Sequence, residues 1–92
     1  MLTKEKVQSY FTITKEAMDK IKLKPTKNKD LLKAQQEYLK LSKCYQSDAQ
    51  HFFDKGDLVN AFAAINYAHA FLDSAALLGF IESNDNTLFM VD

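Results

Sequence analysis

The chain has no arginine and no tryptophan, one cysteine, one proline and two glycines. Each scarcity narrows the field. Arginine is the planar fork that best matches phosphates and base edges, so its absence weakens a sequence-specific nucleic-acid reading. It also removes the Arg-x-His pattern expected of helical RNA-cleaving domains. A lone Cys44 permits no internal disulfide. So little glycine and proline leaves few turn formers, which argues against many short strands and for a few long helices. No apolar run reaches the roughly 18 residues of a membrane span. The opening Met-Leu-Thr-Lys-Glu-Lys lacks the apolar stretch of a secretory signal, and the plain expectation is a cytoplasmic protein.

What is present is ordinary in bulk and uneven in distribution. Of 92 residues, 47% are apolar and 26% charged, the profile of a single small globular domain, expected over residues 1–92. Domains of this size bury only about 60–65% of the surface their unfolded chains expose, so the core is thin and a deep catalytic cleft is hard to fit. Formal net charge is zero, yet residues 1–43 hold 11 Lys against Glu5, Glu16, Asp19, Asp30 and Glu37, a balance of +6. The remainder holds Lys55 against seven acids, a balance of −6.

Hydrophobic spacing predicts three helices, over residues 3–23, 28–55 and 57–78, and a tail over 80–92. In the first, Val7, Tyr10, Phe11, Thr14, Ala17, Met18 and Ile21 share one face. Thr3 suits its N-cap, Glu5 its positive pole, and Pro25 its stop, because proline disfavours a helical Lys24. In the second, Leu31, Ala34, Tyr38, Leu41, Tyr45, Ala49 and Phe52 fall within a narrow arc, while Lys33, Gln36, Lys40, Lys43 and Ser47 face out. Gly56 is placed for the left-handed conformation that ends helices, and Asp57 for the next N-cap. In the third, Leu58, Ala61, Phe62, Ile65, Ala68, Leu72, Ala75 and Ala76 form the inner face, and Gly79 follows as a second stop. Ser83, Asn84, Asp85 and Asn86 read as a loop, ahead of apolar Leu88–Val91. Short connections make the expected fold all-α, an antiparallel up-down-up three-helix bundle. One core is expected from Phe11, Met18, Tyr38, Leu41, Tyr45, Phe52, Phe62, Ile65 and Leu72.

Residues 45–79 carry a resemblance. Tyr45, Asp48, Ala49, Phe52, Gly56, Asp57, Ala61, Ile65, Tyr67, Ala68, Leu72, Asp73 and Gly79 make this stretch similar to an archaeal family of small proteins, domain of unknown function family 357. Ala70 stands where that family's pattern has a glycine. The resemblance implies a three-helix bundle from an archaeal cytoplasm with no assigned activity. It also implies an accessory role, since longer relatives attach the domain to a nucleotidyltransferase-like domain.

The candidate chemistry is sparse. Cys44, Asp48 and His51 lie at i, i+4 and i+7, but residues seven apart are separated by about 10 Å along a helix, too far for three to hold one ion. No metal, cofactor or catalytic set is therefore expected. His69 and Asp73 are an i, i+4 pair, and hairpin pairing brings Cys44 near them, so a Cys–His nucleophile is conceivable. The plainer reading is that Asp48, His69 and Asp73 tie helices together by hydrogen bonds. On the third helix Ala63, Tyr67, Phe71 and Leu78 recur far from the inner face, with Ala70 and Ser74 beside them. This strip is expected to be covered, by residues 88–91 or, preferably, by a second chain. The favoured function is accordingly a non-catalytic module for self-association or binding another protein. The alternative is an accessory domain that meets RNA or nucleotides through its lysine-rich first half.

Overall fold

A computed structural model describes residues 1–82; the expected loop over 83–86 and the apolar 88–91 lie outside the described residues. Among the described residues the chain forms three helices and one two-stranded sheet. The first helix, α1, spans Lys4–Asp19. Thr3 caps it, its hydroxyl accepting from the Lys6 N–H at 3.1 Å. The helix ends four residues earlier than its apolar spacing predicts. Lys22–Leu23 are instead strand β1, paired antiparallel with β2, Ile81–Glu82, with Leu23 opposite Ile81. Proline at 25 biases the chain before it toward extended backbone. Extended backbone needs a partner for its polar groups, and the segment after α3 supplies one. Phe80–Glu82 are thus packed structure rather than tail: Ile81 is buried and Phe80 meets Tyr38 edge-on.

Helix α2, Lys29–Asp54, starts at Asn28, whose side chain accepts from the Leu31 N–H at 3.0 Å. Its exit closes on Gly56, with φ +81. The Gly56 N–H bonds the Phe53 carbonyl, and the Asp57 N–H reaches back to that of Phe52 at 2.9 Å. This pair of bonds satisfies the last carbonyls of the helix and needs a left-handed residue between them. Asp57 then opens α3, Leu58–Leu77, by accepting from the Asn60 N–H. Gly79, φ +73, repeats the arrangement: its N–H bonds Ala76, and that of Phe80 bonds Ala75.

Helix α3 is the most deeply buried element. Ala61, Ala64, Ile65, Ala68, Leu72 and Ala75 are all buried on it. Tyr38 meets Phe71, and Tyr45 stacks on both Phe71 and Tyr67. On the α1 side Tyr10 meets Phe62 at 5.0 Å. The alanines bring α2 so near that the Ser42 hydroxyl, itself fully buried, donates to the Ala68 carbonyl at 2.8 Å.

Two expectations need correction here. The interior is two clusters rather than one. Ala17, Leu72, Ala75 and Ile81 gather Met18, Ile21, Leu23, Tyr38 and Phe80 at one end. Ala49, Ala64, Ile65 and Ala68 gather Phe11, Tyr45 and Phe52 further along. Leu41, expected in the core, is exposed. The buried line of α2 is Gln35, Ser42 and Ala49, a strict seven-residue repeat. Leu41 stands one residue from that line, which is about 100° of rotation on a helix. Where backbones approach this closely a leucine does not fit, and a serine does.

Candidate functional site

Three places on this scaffold carry side chains with chemical potential: a histidine relay, a polar clamp and the outward side of α3.

The relay joins α1 to α3. His69 Nδ1 lies 3.2 Å from the Thr14 hydroxyl, and Nε2 lies 3.4 Å from Asp73 Oδ1. Asp73 sits one helical turn beyond His69, so the helix itself aligns carboxylate and ring. With Asp73 facing the Nε2 proton, Nδ1 accepts from Thr14. Hydroxyl, imidazole and carboxylate stand in the order of a nucleophilic triad, but Thr14 is only 1% exposed. A hydroxyl sealed inside the α1–α3 contact does not reach a substrate carbonyl, so the relay acts as a cross-helix tie. Beside it a shallow groove of about 370 Å³ runs between Tyr10 and Ile13 of α1 and Asn66, His69, Ala70 and Asp73 of α3. A second groove, about 360 Å³, lies between Phe11, Lys15 and Glu16 of α1 and Gln46 and Gln50 of α2.

His69 therefore faces α1 and not α2. This separates it from Cys44, which is exposed on α2, and removes the Cys44–His69 pairing that hairpin register made conceivable. Asp48 is exposed as well, and among the described residues no hydrogen bond joins it to another helix. His51 lies beside it, its ring edge-on to Phe52. Among the described residues no three His, Cys, Asp or Glu side chains converge as a metal site. Gly56 and Asp57 act within the α2–α3 turn. Thr14 went unnoticed as the partner of His69, though a threonine inside an otherwise apolar stripe is a signal that some polar group awaits it.

The clamp was also invisible to apolar spacing. Gln35, 1% exposed, donates from Nε2 to the carbonyls of Lys24 at 2.9 Å and Phe80 at 3.0 Å. Phe80 accepts from the Lys24 N–H too. One buried amide thus pins the β1–β2 pair to α2. Gln35 Oε1 is buried with no partner among the described residues.

The outward side of α3 is apolar and unshielded among the described residues. Val59 is 72% exposed, Leu77 68%, Tyr67 60% and Leu78 56%. Ala63, Asn66 and Ala70 lie exposed between them, and Ser74 is half-buried. Phe71 departs from the strip: it is half-buried, held between the rings of Tyr38 and Tyr45. The exposed outward side of α3 thus includes Val59, Ala63, Asn66, Tyr67, Ala70 and Leu77. No helix among the described residues is long and apolar enough to cross a membrane.

Comparison with known families places this architecture. Residues 9–81 match the model of a family described as protein of unknown function, DUF357. The match takes in most of α1, all of β1, α2 and α3, and the first residue of β2, well beyond residues 45–79. No curated protein and no solved structure matches the chain.

Proposed function

The chain belongs to the DUF357 family of proteins of unknown function, and we propose that it is a non-catalytic helical module that presents the outward side of α3 to a protein surface. The observation that carries this reading is that side itself. Three large apolar residues, Val59, Tyr67 and Leu77, stand exposed on one 20-residue helix with exposed Leu78 as its C-cap, and Asp73 is that helix's one charged side chain. Uncharged apolar faces of this extent mark interaction sites. The reading is further supported by the chemistry of His69, which spends both ring nitrogens on Thr14 and Asp73.

In this reading the module is a single up-down-up bundle. Along α2 and α3 partner numbers run oppositely, Tyr38 with Phe71 and Tyr45 with Tyr67. Along α1 and α3 they rise together, Tyr10 with Phe62 and Thr14 with His69. An unpaired cysteine suits the reducing interior of a cell.

The test is hydroxyl-radical footprinting of the full chain, dilute, concentrated and in extract of the native host. Protection concentrated at Val59, Tyr67 and Leu77 in either of the latter conditions is the expected result. Equal labelling of these residues in all three conditions overturns the proposal.

A second reading draws on the lysines. Lys22, Lys24, Lys27, Lys29 and Lys33 are exposed at the end where β1 meets α2, a cluster suited to RNA or nucleotide phosphates. It requires binding that weakens steeply with salt. A salt titration with a single-stranded RNA probe tests it, and a flat dependence rejects it.

A further inference from the structure

We infer that α1 is a hinged lid on α3: it opens as a unit about residues 20–21 while α2, α3 and the β1–β2 pair stay folded. The inference is independent of what the outward side of α3 meets.

Side-chain size sets how firmly α1 is held. Its buried residues are Val7, Thr14 and Ala17, so the sealed line contains nothing larger than a valine. The bigger apolar residues of the helix lie at its margins: Tyr10 and Ile13 are exposed, Phe11 and Met18 half-buried. Stabilisation by burial scales with the apolar area removed from water, and this line removes little. By contrast α3 buries six residues, Ile65 and Leu72 among them.

Space sets how much of α1 meets the rest of the chain. Grooves run along both of its flanks, about 360 Å³ on the side of α2 and about 370 Å³ at the outer edge of α3. Between them α1 rests along its buried line, with Phe11 reaching Phe53 of α2 near the start of the helix. Midway along that line the contact is polar, Thr14 with His69. Both groups bond water when the helices part, so this contact adds only the modest net worth of an exchanged hydrogen bond. Few buried apolar contacts are the mark of a segment that opens below the global free energy of unfolding.

The hinge is confined because the chain immediately beyond it is fixed. Lys22 and Leu23 pair with Glu82 and Ile81, the Lys24 N–H bonds the Phe80 carbonyl, and Gln35 clamps the carbonyls of both Lys24 and Phe80. The turn between α1 and β1 bonds back into α1, the Lys20 N–H to the Ala17 carbonyl and the Ile21 N–H to that of Met18. A few residues that change φ and ψ suffice for a hinge. The remainder is joined by contacts that bypass α1: the tight turn at Gly56, the stacked rings of Tyr45, Phe71 and Tyr67, and the buried Ser42–Ala68 hydrogen bond. Lifting α1 takes Phe11 off the cluster of Ile65 and Ala17 off that of Leu72.

Native-state hydrogen exchange on the full chain tests the lid, read residue by residue by NMR at urea concentrations below the unfolding transition. The amides of residues 11–19 are expected to share one level of protection, at least about tenfold below that of residues 64–72, while Lys24 keeps the higher level. Ser42→Ala separates lid opening from global unfolding. The Ser42 hydrogen bond is intact whether α1 is closed or lifted. Its loss is therefore expected to lower protection at residues 64–72 about two- to tenfold and to leave residues 11–19 unchanged. Protection over α1 equal to that of α3, or falling in step with it in Ser42→Ala, overturns the lid, because α1 then opens only when the whole chain unfolds. A smooth decline from residue 19 toward residue 4 also overturns it, since that is fraying of a helix end. Exchange of Lys24 together with α1 overturns the hinge at residues 20–21.

Discussion

Ser42 offers the sharpest test of how the helices are held. Its hydroxyl donates to the Ala68 carbonyl at 2.8 Å and accepts from Gln46 Nε2 at 3.2 Å, with no solvent access. Ser42→Ala removes one buried hydrogen bond and little else. The Ala68 carbonyl keeps its own α-helical partner, and the half-buried Gln46 finds water, so the expected cost is about 0.5–1.5 kcal/mol. Ser42→Val loses the same bond and also presses a methyl group against a carbonyl that the oxygen already meets at hydrogen-bond distance. Overpacking of this kind adds about 1–3 kcal/mol, for a total of about 1.5–4.5 kcal/mol. In a domain of this length that lowers Tm by roughly 10–30 °C. Leu41→Ala, at the neighbouring exposed position, is expected to cost under about 1 kcal/mol. Urea and thermal melts followed by helical circular dichroism measure all three. If Ser42→Val is no worse than Ser42→Ala, or if Leu41→Ala is the most damaging of the set, the close approach along Gln35, Ser42 and Ala49 is refuted and Leu41 belongs inside.

Three further outcomes are expected. Asp57→Ala costs about 0.5–2 kcal/mol by loss of the α3 cap; Gly56→Val costs at least about 1–2 kcal/mol through its positive φ alone, since a Cβ there meets nothing within 4 Å. Unchanged melting of both variants removes the turn as a determinant of the fold. Gln35→Leu deprives the Lys24 and Phe80 carbonyls of a donor, and amide exchange is expected to accelerate at Lys24, whose N–H bonds the Phe80 carbonyl across the strand pair, before the helices are affected; uniform exchange rates would show that the clamp holds nothing. Thr14→Val keeps the shape of the buried side chain and leaves His69 Nδ1 without its donor, so a loss of about 1–3 kcal/mol is expected, with the His69 imidazole resonances shifting in NMR. A silent variant would show that the α1–α3 tie carries no stability.

Much of the helical plan was legible in local chemistry. Thr3, Gly56, Asp57 and Gly79 act within a few residues of themselves, and their signals survive in a single chain. α2 and α3 accordingly begin and end within a residue or two of their apolar spacing. Legibility failed where a residue answers to one far away. Ile21–Leu23 fit a helical stripe as well as a strand, and only Ile81, opposite Leu23, decides between them. Leu41 was misplaced by one position because hydrophobic spacing weights leucine and overlooks serine, whereas the interior selects for size. The same blindness hid Gln35 and Thr14, polar residues whose burial depends on partners that no periodicity reveals. His69 was read beside Asp73 as a tie between helices, but the helix it meets was not legible, because pairing across the α2–α3 turn can be counted from Gly56 and docking of α1 cannot.

The β1–β2 pair has a temporal side. The ties that hold α1 span long stretches of chain: Thr14 waits for His69, 55 residues later, and Leu23 for Ile81. Ser42 and Ala68, by contrast, are 26 residues apart across a tight turn. During synthesis α1 therefore precedes the partners that secure it, and a 16-residue helix without packing is only marginally stable. The α2–α3 turn closes early on its own short loop, and residues 80–82 then pair with the Lys22–Lys24 segment that follows α1. Shortening the chain just before Phe80 would leave all three helices encoded and remove the strand pairing that closes the C-terminal end of α1.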